Sequence, residues 1–228
     1  FCGESCVDPL PLNLHSPLRR QWNQLSINGP FWAVFHASST MPSMPLAILS
    51  ALPEEQQGLS HMLVQPIHIQ RAGRHFVQGK LHGQEVVFAL SGIGKVAAAT
   101  TTTALIEHFG VQQVIFTGVA GGMGDNVQVG DIVVAEHFLQ HDMDVRPLFP
   151  QWQVPGYAAP VLPCEPSMVQ TLRHAAQHCA QEAARWQEPL LGGHLPQVHT
   201  GLIASGDQFI VSAQISRNLR QSLQEAGW

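Results

Sequence analysis

Short apolar runs, glycine turns and one stretch of helical spacing alternate in the middle of the chain. Residues 86–90 form an apolar run rich in β-branched side chains, which is typical of a buried strand. Lys95–Phe109 has helical spacing, with Gly110 placed to end the helix, and residues 113–117 form a second apolar strand. This order predicts a βαβ unit with parallel strands. The helix side predicted to pack comprises Val96, Ala99, Thr103 and Ile106.

A glycine turn follows each of these two strands: Ser91-Gly92-Ile93-Gly94 and Gly118-Val119-Ala120-Gly121-Gly122. Parallel strands end at the same edge of a sheet, and open α/β sheets bind small molecules at that edge. Glycine also lets a ligand approach the backbone closely. The two turns therefore predict a small-molecule pocket. A dinucleotide site is disfavoured because the second strand ends without an acid, and a P-loop fails because Val96 follows Lys95.

The remaining pattern predicts an α/β domain with a mixed sheet. Residues 46–52 predict a buried strand that runs into Pro53-Glu54-Glu55, where proline and acids suit the start of a helix. For acids in such a position the commonest role is to complement the helix dipole, but their place on the ligand-binding edge favours a function for one of them. The other predicted elements are an antiparallel meander over 67–90, a strand over 132–138, a proline-rich loop over 147–163, a helix over 167–184 capped by Ser167 with Cys179 in the core, a strand over 198–204 and a helix over 213–226.

Composition narrows the functional classes. The 228 residues carry a formal net charge of −5 with only 11 Lys and Arg, which is not basic enough to indicate nucleic-acid binding. No apolar run approaches the ~20 residues of a membrane span. The 4 scattered cysteines do not form a disulfide framework, so we expect a reduced, cytoplasmic setting. Residues 1–43 show no sustained period, and we expect them to be a poorly ordered extension preceding a domain over 44–228.

Two groups of side chains raise the possibility of a metal site. The pair of Cys2 and Cys6 has no second pair to complete it. The group near the strand over 132–138 lacks a helical pair with a third ligand at familiar spacing, so we favour hydrogen-bonding turn residues over metal ligands. That group comprises His137, His141, Asp142 and Asp144.

Six motifs in register resemble one enzyme family. The motifs are ILSALPEEQ, SGIGKVAAA, TGVAGG, VGDIVVAE, HDMDV and SGDQFI. In this order and spacing, they are similar to bacterial 5′-methylthioadenosine/S-adenosylhomocysteine nucleosidases of the purine nucleoside phosphorylase-like superfamily, over residues 44–228. The resemblance implies a three-layer α/β/α fold with a mixed central sheet, a homodimer, and hydrolysis of the N-glycosidic bond to release adenine, as in methionine salvage. It implies neither a metal nor an organic cofactor.

The resemblance also implies roles for individual residues. Glu55 corresponds to the base that activates the attacking water, Phe209 to the ring that stacks on adenine, and Ile210 to its backbone hydrogen-bonding partner. The pocket lining corresponds to Ala120 and Gly121 on the purine and ribose side, Val119, and Ile93 in the alkylthio pocket. The family often has Ser, Thr or Val at the position of Val119, so a hydroxyl contact to the water is absent here. The residues lent to the neighbouring subunit correspond to Val145, Leu148 or Phe149, and Pro155.

The family continues with a V-E-M-E-G strand that holds the ribose and a Ser-Asp whose aspartate protonates the purine. Neither occurs before Trp228, so we expect the last strand and helices to be missing here. A sheet without a central strand exposes unpaired edges. We therefore expect these 228 residues alone to be inactive and poorly stable.

Other functions stay open at this point. Related phosphorylases place an arginine where Phe116 stands, which disfavours a phosphorylase. Nucleosidases acting on futalosine or AMP are further possibilities, because their distinguishing residues lie partly in the absent tail. A non-catalytic protein that binds adenine nucleosides is the alternative outside the enzymes.

Overall fold

A computed structural model of the chain describes residues 44–56, 58–185 and 194–228. The prediction for residues 1–43, including Cys2 and Cys6, lies outside the described residues. Strands Leu46–Ser50 (β1), Val64–Arg71 (β2), Arg74–Leu81 (β3), Gln84–Leu90 (β4) and Gln113–Phe116 (β5) form one sheet in the order β2-β3-β4-β1-β5. Strands Ile132–Gln140 (β6), Val161–Pro163 (β7) and Val198–Ser205 (β8) form a second sheet in the order β7-β6-β8. The helices are Lys95–Phe109 (α1), Pro166–Arg185 (α2) and Ala213–Glu225 (α3).

Both sheets are mixed, whereas the sequence predicts a single mixed sheet. Strands β2, β3 and β4 form the expected antiparallel meander, whereas β4 and β5 run parallel to β1, which lies between them. In the second sheet β6 is parallel to β8 and antiparallel to β7. The carboxyl ends of β4, β1 and β5 therefore lie side by side, which brings the two glycine turns to one edge.

The five-stranded sheet is covered on both faces, which gives the predicted three-layer arrangement. On one face Ala104 and Leu105 of α1 pack against alternate residues of β1, β3 and β4. On the other face Met168 and Leu172 of α2 pack against the intervening residues of β1 and β4. Strands buried on both faces need continuous apolar runs, and β1 reads Leu-Ala-Ile-Leu-Ser with every residue buried. Helix α3 packs on the second sheet through Leu219 and Leu223.

Four sequence-based predictions are corrected by the structure. The proline-rich loop contains strand β7, which is only three residues long and includes a proline, so its pattern gives no strand signal. A 3-10 turn, Pro53–Gln56, stands where a helix was expected. Ser167 does not cap α2, because the carboxylate of Glu165 accepts the Met168 amide at 2.8 Å and the Ser167 hydroxyl at 2.5 Å. The residues predicted to pack from α1 are all exposed: Val96, Ala99, Thr103 and Ile106.

Asp131 ties the beginnings of β6 and β8 together. Its side chain is 1% exposed and accepts hydrogen bonds from the Gln128 and Gln197 amides and from His199 Nε2, each at 2.9 Å. Burial alone raises the pKa of this carboxyl, but the three donors outweigh burial and lower its pKa to about 2.

This lowered pKa predicts a loss of stability in acid. A carboxyl whose folded pKa lies below 3.8 stabilises the fold above that pH, and the contribution disappears as the pH falls toward 2. We expect Asp131→Asn to lower the free energy of unfolding by about 1–2 kcal/mol at pH 5, with the difference from wild type shrinking between pH 4 and 2. Urea unfolding of wild type and of Asp131→Asn between pH 5 and 2 measures this difference in the free energy of unfolding.

Asp144 offers a matched control. The pKa of its carboxyl is also lowered to about 2, first by hydrogen bonds from Arg146, but its side chain is 44% exposed and solvent screens the pair. Asp144→Asn should leave the unfolding free energy nearly unchanged. Equal effects of the two substitutions, or a pH-independent effect of Asp131→Asn, would contradict the role given to Asp131.

Candidate active site

Glu55 lies at the carboxyl end of β1 and reaches the second glycine turn. Its Oε2 accepts the Ala51 and Leu52 amides, each at 2.9 Å, and its Oε1 accepts the Val119 amide at 3.0 Å. The carboxylate is half-buried and bridges the turn after β1 to the turn after β5. The structure thus brings together Glu55 and Val119, two residues that the sequence assigned to one site.

Gly118 permits this close approach. A Cβ added at Gly118 would lie 2.9 Å from Glu55 Oε1, a distance that a side chain does not tolerate. Any larger residue here would push the carboxylate away from the Val119 amide. Ala120 and Gly121, the other pocket residues predicted on this turn, are exposed directly after it.

Gln56, which is not among the residues predicted from the sequence, fixes the turn that carries Glu55. Its side-chain Nε2 donates to the carbonyl of Ile48 at 3.0 Å and to the carbonyl of Ala89 at 2.8 Å. One amide group therefore joins the ends of β1 and β4 beneath the turn. The signal available in the sequence was its place, directly after Glu55 at a strand end.

The first glycine turn is held from a third strand. Arg74 of β3 donates from its guanidinium to the Ser91 carbonyl and to Thr100 Oγ1, each at 2.8 Å. The Ser91 amide in turn donates to the Ser50 carbonyl at 2.8 Å, which joins this turn to β1. Ile93, predicted to line the alkylthio pocket, is exposed at the tip of the turn.

The loop after β8 presents Phe209 beside the first glycine turn. The Lys95 amide, the first of α1, donates to Asp207 Oδ1 at 2.6 Å, which joins the loop to the turn. Phe209 is 91% exposed, so its ring is open to a ligand. Ile210 follows it and is half-buried.

The loop between β6 and β7 contains the residues predicted to serve a neighbouring subunit. Leu148 and Phe149 are exposed, as is Pro155, whereas Val145 is half-buried. Trp152 anchors the loop by packing in the cluster beneath α3 with Leu139 and Val161. We call residues 145–155 the arm. Trp152 packs the arm into the core, while Leu148 of the arm is exposed.

The two aspartates considered as metal ligands have other partners. Asp142 accepts the Lys95 ammonium at 2.7 Å, and Asp144 pairs with Arg146 at 2.5 Å. Burial raises the pKa of Asp142, but hydrogen bonds from Lys95 and from the Asp207 amide outweigh it and hold that pKa below its usual value. Within the described ranges, no group of three or more His, Cys, Asp or Glu residues is arranged to hold a metal ion.

A groove beside α3 lies apart from the glycine turns and contains none of the predicted site residues. It is lined by Gln151, Trp152, Pro160, Ser222, Glu225, Ala226 and Trp228. In the part of the chain that the structure describes, each helix is too short or too polar to cross a membrane.

Comparison with known proteins gives consistent matches. The profile described as "Phosphorylase superfamily" matches residues 45–227. The 5′-methylthioadenosine/S-adenosylhomocysteine nucleosidase of Aeromonas salmonicida is 35% identical over 167 residues, which are 73% of this chain and 66% of that protein. The chain thus spans just under two thirds of the length of this relative.

Solved structures of two nucleoside hydrolases are similar to this fold. The nucleosidase of Neisseria meningitidis in complex with methylthio-immucillin-A superimposes with a TM-score of 0.66 at 32% identity, covering 80% of this chain and 73% of that one. The futalosine hydrolase of Helicobacter pylori superimposes with a TM-score of 0.64 at 32% identity, covering 80% and 72%.

Proposed function

The chain belongs to the phosphorylase superfamily, and on that basis we propose that it hydrolyses the N-glycosidic bond of 5′-methylthioadenosine and S-adenosylhomocysteine, releasing adenine and the thioribose product. The observation that carries the proposal is the position of Glu55. Its carboxylate is held against the second glycine turn by the Val119 amide, at the edge of the sheet where α/β proteins bind small molecules.

The chemistry needs a carboxylate in such a place. Breaking the bond between the ribosyl carbon and the adenine nitrogen passes through an oxocarbenium-like state. Water adds its oxygen to that carbon, and its proton passes to a base, which we assign to Glu55. The leaving adenine gains a proton, for which the family resemblance supplies an aspartate of the later Ser-Asp segment. We propose that Phe209 stacks on the base, that the Ile210 backbone binds its edge, and that Ala120, Gly121 and Ile93 line the pocket.

Water is a better candidate nucleophile than phosphate. Phe116 stands where related phosphorylases carry an arginine, and its ring is exposed at the end of β5. The guanidinium of Arg74, which does reach the first glycine turn, is committed to Ser91 and Thr100. Neither of these two positions therefore offers an uncommitted arginine, the side chain that favours phosphate recognition.

Adenine release from methylthioadenosine tests the proposal directly. The gene is first read beyond the Trp228 codon, and both the natural gene product and these 228 residues are assayed with and without phosphate. We expect release by the natural product at a rate independent of phosphate and without ribose 1-phosphate, and no release by the 228 residues alone. Absence of release by the natural product would overturn the proposal.

Hydrolysis of futalosine is the second candidate, because the futalosine hydrolase structure superimposes about as well as the nucleosidases. A substrate panel of methylthioadenosine, S-adenosylhomocysteine, 5′-deoxyadenosine, futalosine and AMP separates them. We expect the two thioadenosines to be preferred, since Ile93 adds an exposed apolar side chain to the first turn. Preference for futalosine would reassign the substrate while leaving the hydrolytic chemistry in place.

We further propose that two copies form a homodimer in the cytoplasm. Exposed apolar surface supports this, because both the outward side of α1 and Leu148 of the arm are exposed. The arm would then lend Val145, Leu148 or Phe149, and Pro155 to the neighbouring pocket. Sedimentation velocity of the natural gene product should show a dimer, and a stable monomer would contradict the shared pocket.

A further inference from the structure

Three separate segments meet at the side chain of Lys95. This residue begins α1 directly after the first glycine turn. Its Nζ donates to Asp142 Oδ1 at 2.7 Å and to Gln140 Oε1 at 3.2 Å, both at the end of β6. The side chains of Lys95 and Asp142 are 30% and 13% exposed, so the ion pair is largely sheltered from solvent. Sheltered pairs with additional hydrogen bonds fix geometry better than surface pairs do.

Asp207 completes the cluster from the loop after β8. Its Oδ1 accepts the Lys95 amide at 2.6 Å, and its Oδ2 lies 3.9 Å from Lys95 Nζ. Its own amide donates to Asp142 Oδ2 at 2.8 Å. Asp142 thus gives one oxygen to Lys95 and the other to Asp207. The Lys95 cluster, meaning Lys95, Asp142 and Asp207, closes a ring between the first glycine turn, β6 and the Phe209 loop.

Gly206 shows that the loop is built to approach β6 closely. A Cβ added there would lie 2.5 Å from His141 Nε2 and 2.9 Å from Asp142 Cγ. The His141 amide also donates to the Ser205 carbonyl at 2.9 Å. The backbone of residues 205–207 is therefore seated against 141–142, and Phe209 extends from it two residues later.

Resting on the proposed function, we propose that Lys95, Asp142 and Asp207 are positioning residues that hold the Phe209 loop against the first glycine turn and so set the affinity for the adenine base. Phe209 is 91% exposed, and its own ring therefore adds little packing to fix the loop. Without the Lys95 ammonium, Asp142 Oδ1 and Asp207 Oδ2, which lie 2.7 and 3.9 Å from Lys95 Nζ, lose the cation that they share. Among the described residues, the Lys95 amide alone then joins the loop to the turn, so the loop moves more freely and stacks less well on the base.

Neutral and conservative substitutions of Lys95 in the natural gene product test this. We expect Lys95→Met to raise the adenine dissociation constant about tenfold, measured by calorimetric titration, whereas Lys95→Arg restores affinity to within about threefold. With methylthioadenosine, KM should rise while kcat stays nearly constant, because base binding is lost equally from ground and transition states. Lys80→Met is the matched control, since it removes a lysine from an exposed pair with Glu85 at 3.6 Å.

Amide hydrogen exchange over residues 205–210 separates this inference from the proposed function. Faster amide exchange in Lys95→Met than in wild type supports the positioning role of the cluster. If the wild-type protein binds no adenine, that absence of binding overturns only the proposed function. If Lys95→Met lowers Tm, Asp142→Asn decides, because it removes the same ion pair and should raise the dissociation constant similarly. Unchanged exchange and unchanged affinity in Lys95→Met, or equal losses in Lys80→Met, would overturn the inference.

Discussion

Glu55→Gln in the natural gene product is expected to lower kcat for adenine release by about 10²–10⁴-fold, the range that a positioned general base contributes. Glutamine keeps the shape of the side chain and an oxygen that can accept the Ala51 and Leu52 amides, but its Nε2 is a donor and cannot accept the Val119 amide. It has no basic oxygen to take a proton from the attacking water. If Glu55 only stabilised its turn through those two hydrogen bonds, glutamine would largely preserve activity. The substitution therefore separates catalysis from capping of the turn after β1, and adenine titration shows whether the lost Val119 contact has changed the binding site.

Glu54→Gln is the control for this experiment. Glu54 is the neighbouring residue in the same 3-10 turn, is exposed, and undergoes the same change of charge. We expect it to retain kcat within about twofold, since surface substitutions seldom change much. Adenine titration and Tm of both variants show whether the site is still formed. A Glu55→Gln enzyme with more than a tenth of wild-type kcat, or an equal loss in Glu54→Gln, would refute the assignment.

Local signals explain which parts of the fold the sequence could predict. Helix α1 has the predicted bounds because Gly94 precedes it and Gly110 ends it in the left-handed conformation, with φ of 64°. Its buried side was predicted wrongly. Ala and Thr fill most of the helix, so its two sides differ little in polarity, and packing rather than pattern buries Thr101 and Leu105 while Val96 stays exposed.

Some residues of the candidate site could be predicted from local sequence signals, and others could not. Glu55 could be proposed from its position after the first strand, because a strand end is a local feature. The contacts of Lys95 with Asp142 and of Asp142 with Asp207 join residues 47 and 65 positions apart, and only the topology brings them together. From the sequence alone, Asp142 is therefore only a turn residue or a metal ligand, and its pairing with Lys95 does not follow. A polar residue next to a glycine turn was the one signal in the sequence that pointed to Lys95 and Asp207.

Phe209→Ala is expected to raise the adenine dissociation constant by about 10- to 100-fold, since stacking of a base on an aromatic ring contributes about 1–3 kcal/mol. The ring is 91% exposed, so its removal leaves no cavity and Tm should not change. Most aromatic-to-alanine changes confound binding with stability through lost packing. Because the Phe209 ring is exposed, its removal changes ligand binding without removing packing interactions.

Two companion variants make the test of stacking specific. Phe209→Trp keeps an aromatic face and should bind adenine within about threefold of wild type, because stacking tolerates any flat ring. Val211→Ala removes an exposed apolar side chain two residues further along and should bind as wild type does. Wild-type affinity in Phe209→Ala would exclude the stacking role. If Phe209→Trp lost as much adenine affinity as Phe209→Ala, the size of the phenylalanine side chain, and not its aromatic face, would be what adenine binding requires. Adenine would then have to bind by its edge through the Ile210 backbone.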